Sequence, residues 1–329
     1  MTQFHTRFLI TNTDNSEQNK RCSFCRGPGS NVPAIRLGMD MTVLYRGMDR
    51  AGLDVAYNNT RAVANFQDLL AGFQARSAHF YESTPCDRDF PYGDHPRERF
   101  DLARGRGADP PTVVYLHGGY WQALSKEDFS FVAQGPFELG CNVVLAEYTL
   151  APQFSMTQIA QEVGRLLDHL AANRDELKMG RGPVCLVGHS AGGHLSLVHR
   201  SHPLLSHTMA ISPLVDLEPI SLSWLNAKLD LTPKEIDLYS PLRHIGKGTP
   251  STIAVGLVEL PELIRHASEY AAAASEFGEE VEYFAIEKRN HFTILEELAG
   301  ASGALTQALA RSFSSRPSVS RSEKSPTSR

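Results

Sequence analysis

From about residue 98 onward, short apolar runs alternate with segments whose apolar positions recur every three to four residues. Thr112-Val-Val-Tyr-Leu116, Cys141–Ala146, Val184–Val187, Thr208–Ile211, Ser251–Val255 and Val281–Ala285 are continuous enough to predict strands buried on both faces. Two earlier stretches, Ser77–Ser83 and Glu98–Leu102, read as further strands. Between them the spacing predicts helices over about 125–138, from Gln158 to Asn173 (Ile159, Val163, Leu166, Leu167, Leu170), from His194, over 262–277 and over 293–312. Strands alternating with amphipathic helices make an α/β fold with a mostly parallel, doubly covered sheet. The looser stretch at about 215–248 is expected to lie over that sheet as a small partial cap. In such sheets ligands bind at the carboxyl ends of the strands, here 117–121, 188–192, 256–262 and 289–292.

Composition narrows the class without changing the fold. A chain of 329 residues with 42% hydrophobic and 21% charged residues can bury one large core, which the pattern places at 39–313. Residues 1–38 are polar and turn-rich and read as a disordered or non-native leader; 314–329 read as a disordered basic tail. A net charge of -5 speaks against nucleic acid, and no apolar run is long enough for a membrane helix. Five scattered cysteines suggest no disulfide framework and point to the cytoplasm. Cys22-Ser-Phe-Cys25 has metal or redox spacing, but no second pair or nearby histidine follows it, so no metal site is expected there. The expected partner is a small-molecule substrate, with a second copy of the chain as the other candidate.

The chemistry centres on Gly188-His-Ser-Ala-Gly192, which follows a predicted strand and opens a predicted helix. This is the setting in which G-x-S-x-G lifts a serine hydroxyl out of a sharp turn at a helix N-terminus. Ser190 then needs a base, because a serine hydroxyl is a weak nucleophile at neutral pH. Of 13 histidines, His291, in the loop after the last strand, is the best placed, whereas His189 reads as a turn residue. The imidazole in turn needs a carboxylate to fix its tautomer. Glu259 is the first choice, with Glu262 second, because it follows Pro261 in a helix's first turn, and Asp216 third. The order Ser, acid, His is that of the α/β-hydrolase fold. His117-Gly118-Gly119 after another strand supplies an oxyanion hole from the N–H groups of Gly118 and Gly119 beside that of Ala191. Tyr120, Trp121 and, from the cap, Trp224 are the candidate aromatic walls of the substrate pocket.

Taken jointly, these motifs resemble the arylformamidase (kynurenine formamidase)-like group of α/β-hydrolases over about residues 42–310. The resemblance is carried by Tyr45–Asp49, Leu53-Asp54, Tyr57-Asn58, Tyr92–Asp101, His117–Gln122, Gly188–Gly193 and Asp216–Pro219, then by Asn226–Pro241, Glu259–Glu262 and Asn290–Phe292. The family pattern around the acid is Asp-Ser-Pro-Glu-Phe; this chain has Glu259-Leu-Pro-Glu-Leu263, a departure at Leu260 and Leu263. The resemblance implies hydrolysis of an N-formyl arylamine such as N-formylkynurenine, with release of formate and without a cofactor. The same machinery suits short-chain or aromatic esters, and a non-catalytic scaffold is the reading left if the serine is inert.

Overall fold

The computed structural model describes residues 42–246 and 248–314. The expected leader, with Cys22 and Cys25, and the tail from 315 on lie outside the described residues.

The described chain opens with α1 (Arg50–Ala56), α2 (Asn59–Ala62) and α3 (Phe66–Ser83). Asp49 and Asn58 cap the first two by accepting from the N–H groups of Gly52 and Arg61. The strand expected at Ser77–Ser83 is instead the end of α3. Phe73, Ser77 and Phe80 are its buried residues, a spacing of four and three that belongs to a helix. They meet a short 3₁₀ turn, Ser130–Ala133, where the Phe131 N–H donates to Ser77 Oγ at 3.1 Å.

The sheet begins with β1 (Cys86–Pro91), which the apolar pattern does not announce, and β2 (Arg99–Ala103). Then come β3 (Thr112–Leu116), α4 (Lys126–Phe129), α5 (Gln134–Glu138), β4 (Asn142–Ala146) and α6 (Met156–Ala172). The single helix expected over 125–138 is broken into α4, the 3₁₀ turn and α5; Pro136, in the first turn of α5, has no N–H to offer and its ring crowds the carbonyl of Val132, which stops an unbroken helix there. A Cβ at Gly135 would run into the backbone carbonyls of Leu298 and Gly300. β5 (Val184–His189), α7 (Ala191–Val198) and β6 (His207–Ile211) follow. The cap region then holds three short helices, α8 (Glu218–Ser221), α9 (Asn226–Leu229) and α10 (Pro233–Leu238). β7 (Ser251–Gly256), α11 (Pro261–Phe277), β8 (Val281–Ile286) and α12 (Ala304–Ser314) complete the order. The helix expected over 293–312 is likewise divided, into a 3₁₀ segment Thr293–Leu298 and α12, by a turn carrying Gly300 and Gly303.

The strands pair in the order β1-β2-β4-β3-β5-β6-β7-β8. β1, β2 and β4 are joined antiparallel and every later pair is parallel. β3 to β7 are buried at every residue, as their unbroken apolar runs require. The outer strands β1 and β8 keep exposed positions, and β1 carries Asp87, Arg88 and Asp89 at a bulge, a charged edge that discourages further pairing. One core face gathers α6, the cap leucines Leu217, Leu225 and Leu229, and Leu53 and Tyr57 of the N-terminal segment. The opposite face gathers α3, the 3₁₀ turn and α12. Both faces being covered, the carboxyl ends of the central strands are where loops can converge.

Candidate active site

β5 runs into the turn at Ser190, whose φ of 55° and ψ of -114° lie in a region that costs a non-glycine residue strain. The geometry is enforced by close approach. A Cβ at Gly188 would overlap the Gly192 carbonyl, and one at Gly192 would overlap the carbonyls of Leu116 and His117. The turn holds the Ser190 hydroxyl at the start of α7.

His291 reaches this hydroxyl from the loop after β8. Its Nε2 lies 3.0 Å from Ser190 Oγ and its Nδ1 2.7 Å from Glu259 Oε2. A carboxylate only accepts, so Nδ1 carries the proton and Nε2 presents its lone pair to the serine. The other oxygen of Glu259 accepts from Ser212 Oγ at 2.6 Å and from the Gly256 N–H at 2.7 Å, at the ends of β6 and β7. The structure therefore brings Ser190, His291 and Glu259 together. It does not bring the two other carboxylates. Glu262 accepts from the Tyr57 hydroxyl at 2.9 Å and pairs with Arg265 at 2.7 Å. Burial disfavours its charge, but the Arg265 guanidinium overcomes that and holds its carboxyl below the usual range. Asp216 accepts from Tyr45 at 2.8 Å.

His189 is more than a turn residue. Its Nε2 donates to the His291 carbonyl oxygen at 2.7 Å, bracing the backbone of the loop that carries His291. Burial holds this imidazole neutral, with its pKa well below the ordinary histidine value.

Gly118 sits against the His189 ring and Ser190 Cβ, and Gly119 has φ of 118° with the Ala123 carbonyl where a Cβ would stand. Among the described residues, the N–H groups of Gly119 and Ala191 have no protein acceptor, which leaves them free for a substrate oxygen. The loop is clamped by a residue that sequence reasoning missed. Glu147, just beyond β4, lies 2.8 Å from His117 Nε2, while His117 Nδ1 lies 2.6 Å from the Gly118 carbonyl. Burial raises the Glu147 pKa; the His117 and Arg97 charges outweigh it and lower the net value. Its place at the carboxyl end of a predicted strand was the available signal.

The three aromatics divide. Tyr120 lines a cavity of about 180 Å³ over Ser190, together with Phe66, Leu70, Leu124, Phe129 and Phe292. Trp121 does not. Residues 120 and 121 both have positive φ, and the turn they make buries the Trp121 ring in the core, edge-on to His194 at 5.0 Å. The expectation that Trp121 walls the substrate pocket is corrected accordingly. Trp224 meets Tyr120 edge-on at 5.4 Å but lines a neighbouring groove and not the cavity over Ser190. The apolar lining from α3 and α4 was missed, since those elements were misread or undivided in the sequence.

Among the described residues no group of three or more His, Cys, Asp or Glu side chains is arranged to hold a metal ion. No helix among them is long and apolar enough to cross a membrane.

A model of the alpha/beta hydrolase fold family matches residues 113–295. The kynurenine formamidase of Danio rerio is 30% identical over 237 residues, 67% of this chain and 80% of that enzyme. The chain belongs to the arylformamidase-like α/β-hydrolases. A solved structure from Silicibacter sp. tm1040 superposes on this hydrolase with a TM-score of 0.71 at 27% identity, covering 78% of this chain and 98% of the other. An isoprenylcysteine alpha-carbonyl methylesterase of Arabidopsis thaliana is 26% identical over 130 residues, 39% of this chain and 30% of that protein. The arylformamidase-like hydrolase thus shares about two thirds of its length with a formamidase and a smaller part with an esterase.

Proposed function

We propose that this hydrolase cleaves a small acyl group from an aryl amide, an N-formyl arylamine of the N-formylkynurenine type, and releases formate. The observation that carries the reading is the hydrogen-bonded series Ser190–His291–Glu259, at 3.0 and 2.7 Å, opening into a small apolar cavity. Ser190 Oγ attacks the formyl carbon as His291 Nε2 takes its proton, and Glu259 stabilises the imidazolium. The N–H groups of Gly119 and Ala191, with Gly118 beside them, receive the tetrahedral oxygen. Collapse breaks the C–N bond, His291 returns the proton to the leaving arylamine, and a formyl ester remains on Ser190. Water attacks that ester with His291 again as base, releasing formate and restoring the serine. The kynurenine formamidase relative supports the amide reading.

Hydrolysis of short-chain or aromatic esters is the second reading, supported by the methylesterase relative and by the cavity's size. A cavity of about 150 Å³ suffices for one benzene ring, so about 180 Å³ leaves room beside a ring for little more than a formyl group. The test is release of formate from N-formylkynurenine measured beside hydrolysis of p-nitrophenyl acetate, with fluorophosphonate labelling of wild type and Ser190→Ala. Labelling lost in Ser190→Ala together with efficient formamide turnover is the expected result. Turnover of the ester alone would replace the first reading with the second, and turnover retained in Ser190→Ala would overturn the nucleophile.

A further inference from the structure

A second hollow, a groove of about 590 Å³, adjoins the Ser190 cavity on the far side of Tyr120 and Trp224. The α2 segment edges both: Thr60 lines the cavity, while Asn58 and Arg61 line the groove. It is pinned where the Asn59 N–H donates to the Tyr120 hydroxyl at 2.9 Å. Apolar contacts in the groove come from Val55, Trp224 and Leu260.

Two charges of opposite sign stand in this groove. Arg61 is exposed, and among the described residues its guanidinium makes no hydrogen bond or ion pair. The other arginines near the site are committed: Arg50 to Asp54 at 3.2 Å, Arg97 to Glu147 at 2.6 Å and Arg265 to Glu262. Asp54 is held in place through Oδ1, which accepts from the Trp224 N–H at 2.6 Å and from Arg50. Its Oδ2 has no hydrogen-bond partner among the described residues. A planar fork of N–H donors suits a carboxylate, and a carboxylate oxygen suits an ammonium.

We infer that the groove holds the zwitterionic α-amino-acid end of the aryl substrate, its carboxylate on Arg61 and its ammonium on Asp54 Oδ2, while the acylated ring occupies the cavity over Ser190. The inference rests on the aryl amide reading above and makes Arg61 a specificity residue. It contributes nothing to bond breaking, so its effect falls on KM.

The test compares kcat/KM for N-formylkynurenine and for formanilide, which has the ring and formamide without the charged end, in the full-length protein and in Arg61→Gln and Arg61→Lys. Arg61 is exposed, so both variants should fold, which circular dichroism checks. The preference for N-formylkynurenine should fall about tenfold in Arg61→Gln through KM, as expected for loss of a charge-assisted pair, and Arg61→Lys should recover part of it. An unchanged preference in Arg61→Gln overturns the inference and leaves the amide reading standing. If the wild type cleaves neither formamide, the amide reading has failed. The same variants on phenyl acetate and meta-carboxyphenyl acetate then decide the carboxylate role. A preference for the carboxylated ester that drops in Arg61→Gln supports it, and no such drop overturns it.

Discussion

Glu259 differs from the carboxylates around it in what its oxygens hold. One is anchored by Ser212 and Gly256, the other faces His291, whereas Glu262 and Asp216 are spent on tyrosines of the N-terminal segment. Glu259→Gln should therefore lower kcat by roughly 10³–10⁴-fold, since an amide in its place no longer fixes the imidazole tautomer. Glu262→Gln should leave kcat within several-fold and cost about 1–3 kcal/mol of stability, because it leaves Tyr57 and Arg265 short of a partner. Steady-state kinetics and denaturant titration of the two variants check the pair; the reverse ranking would sink the assignment. Trp121→Ala belongs with the stability mutants, costing about 3–5 kcal/mol as a buried aromatic truncation, with KM for aryl substrates changed less than the melting temperature. Ser190, His291 and Glu259 were legible because each sits at a strand end in a required order. Trp121 was misjudged because two successive left-handed residues reverse a ring's direction, and nothing in the letters announces positive φ at Tyr or Trp.

At the scale of elements, the central strands read cleanly because full burial writes an uninterrupted apolar run. The edges did not. β1 is polar because its outer side faces water, and the last turns of α3 read as a strand although Phe66, Leu69, Leu70, Phe73 and Phe80 recur at helical spacing. That misreading hid part of the pocket, since Phe66 and Leu70 come from α3. A consequence can be measured. Activity on aryl esters should fall steeply from acetyl to butyryl to octanoyl, and Leu70→Ala, which widens the cavity from the α3 side, should flatten that series. A series already flat in the wild type would mean that the cavity does not set acyl length. Phe73→Ala, lower on the same helix, should cost about 3–5 kcal/mol without changing the series.

For the whole molecule, acid is the weak side. Burial drives His194, His199 and His207 down to about 4, below the ordinary histidine value of 6.5. Below pH 6.5 the unfolded chain binds protons at these sites that the folded chain refuses, so stability falls as pH drops from about 6.5 toward 4, by roughly 1.4 kcal/mol per unit for each histidine. Paired carboxylates such as Glu147 and Glu98, whose pKa values are lowered, add loss in the same direction at lower pH. Urea titrations at pH 7, 5.5 and 4.5 should show a falling midpoint, and a level midpoint would contradict the buried neutral histidines. Long-range order shows itself also in the N-terminal segment, tied to two loops and to the first turn of α11 by Tyr45–Asp216, Asn59–Tyr120 and Tyr57–Glu262. The second of these joins the segment that edges the pocket to the Gly118–Tyr120 loop. The Asn59 amide is therefore a built-in reporter: its deuterium uptake should slow when a covalent inhibitor on Ser190 stills Tyr120, and this one proton would record occupancy of a site it never touches.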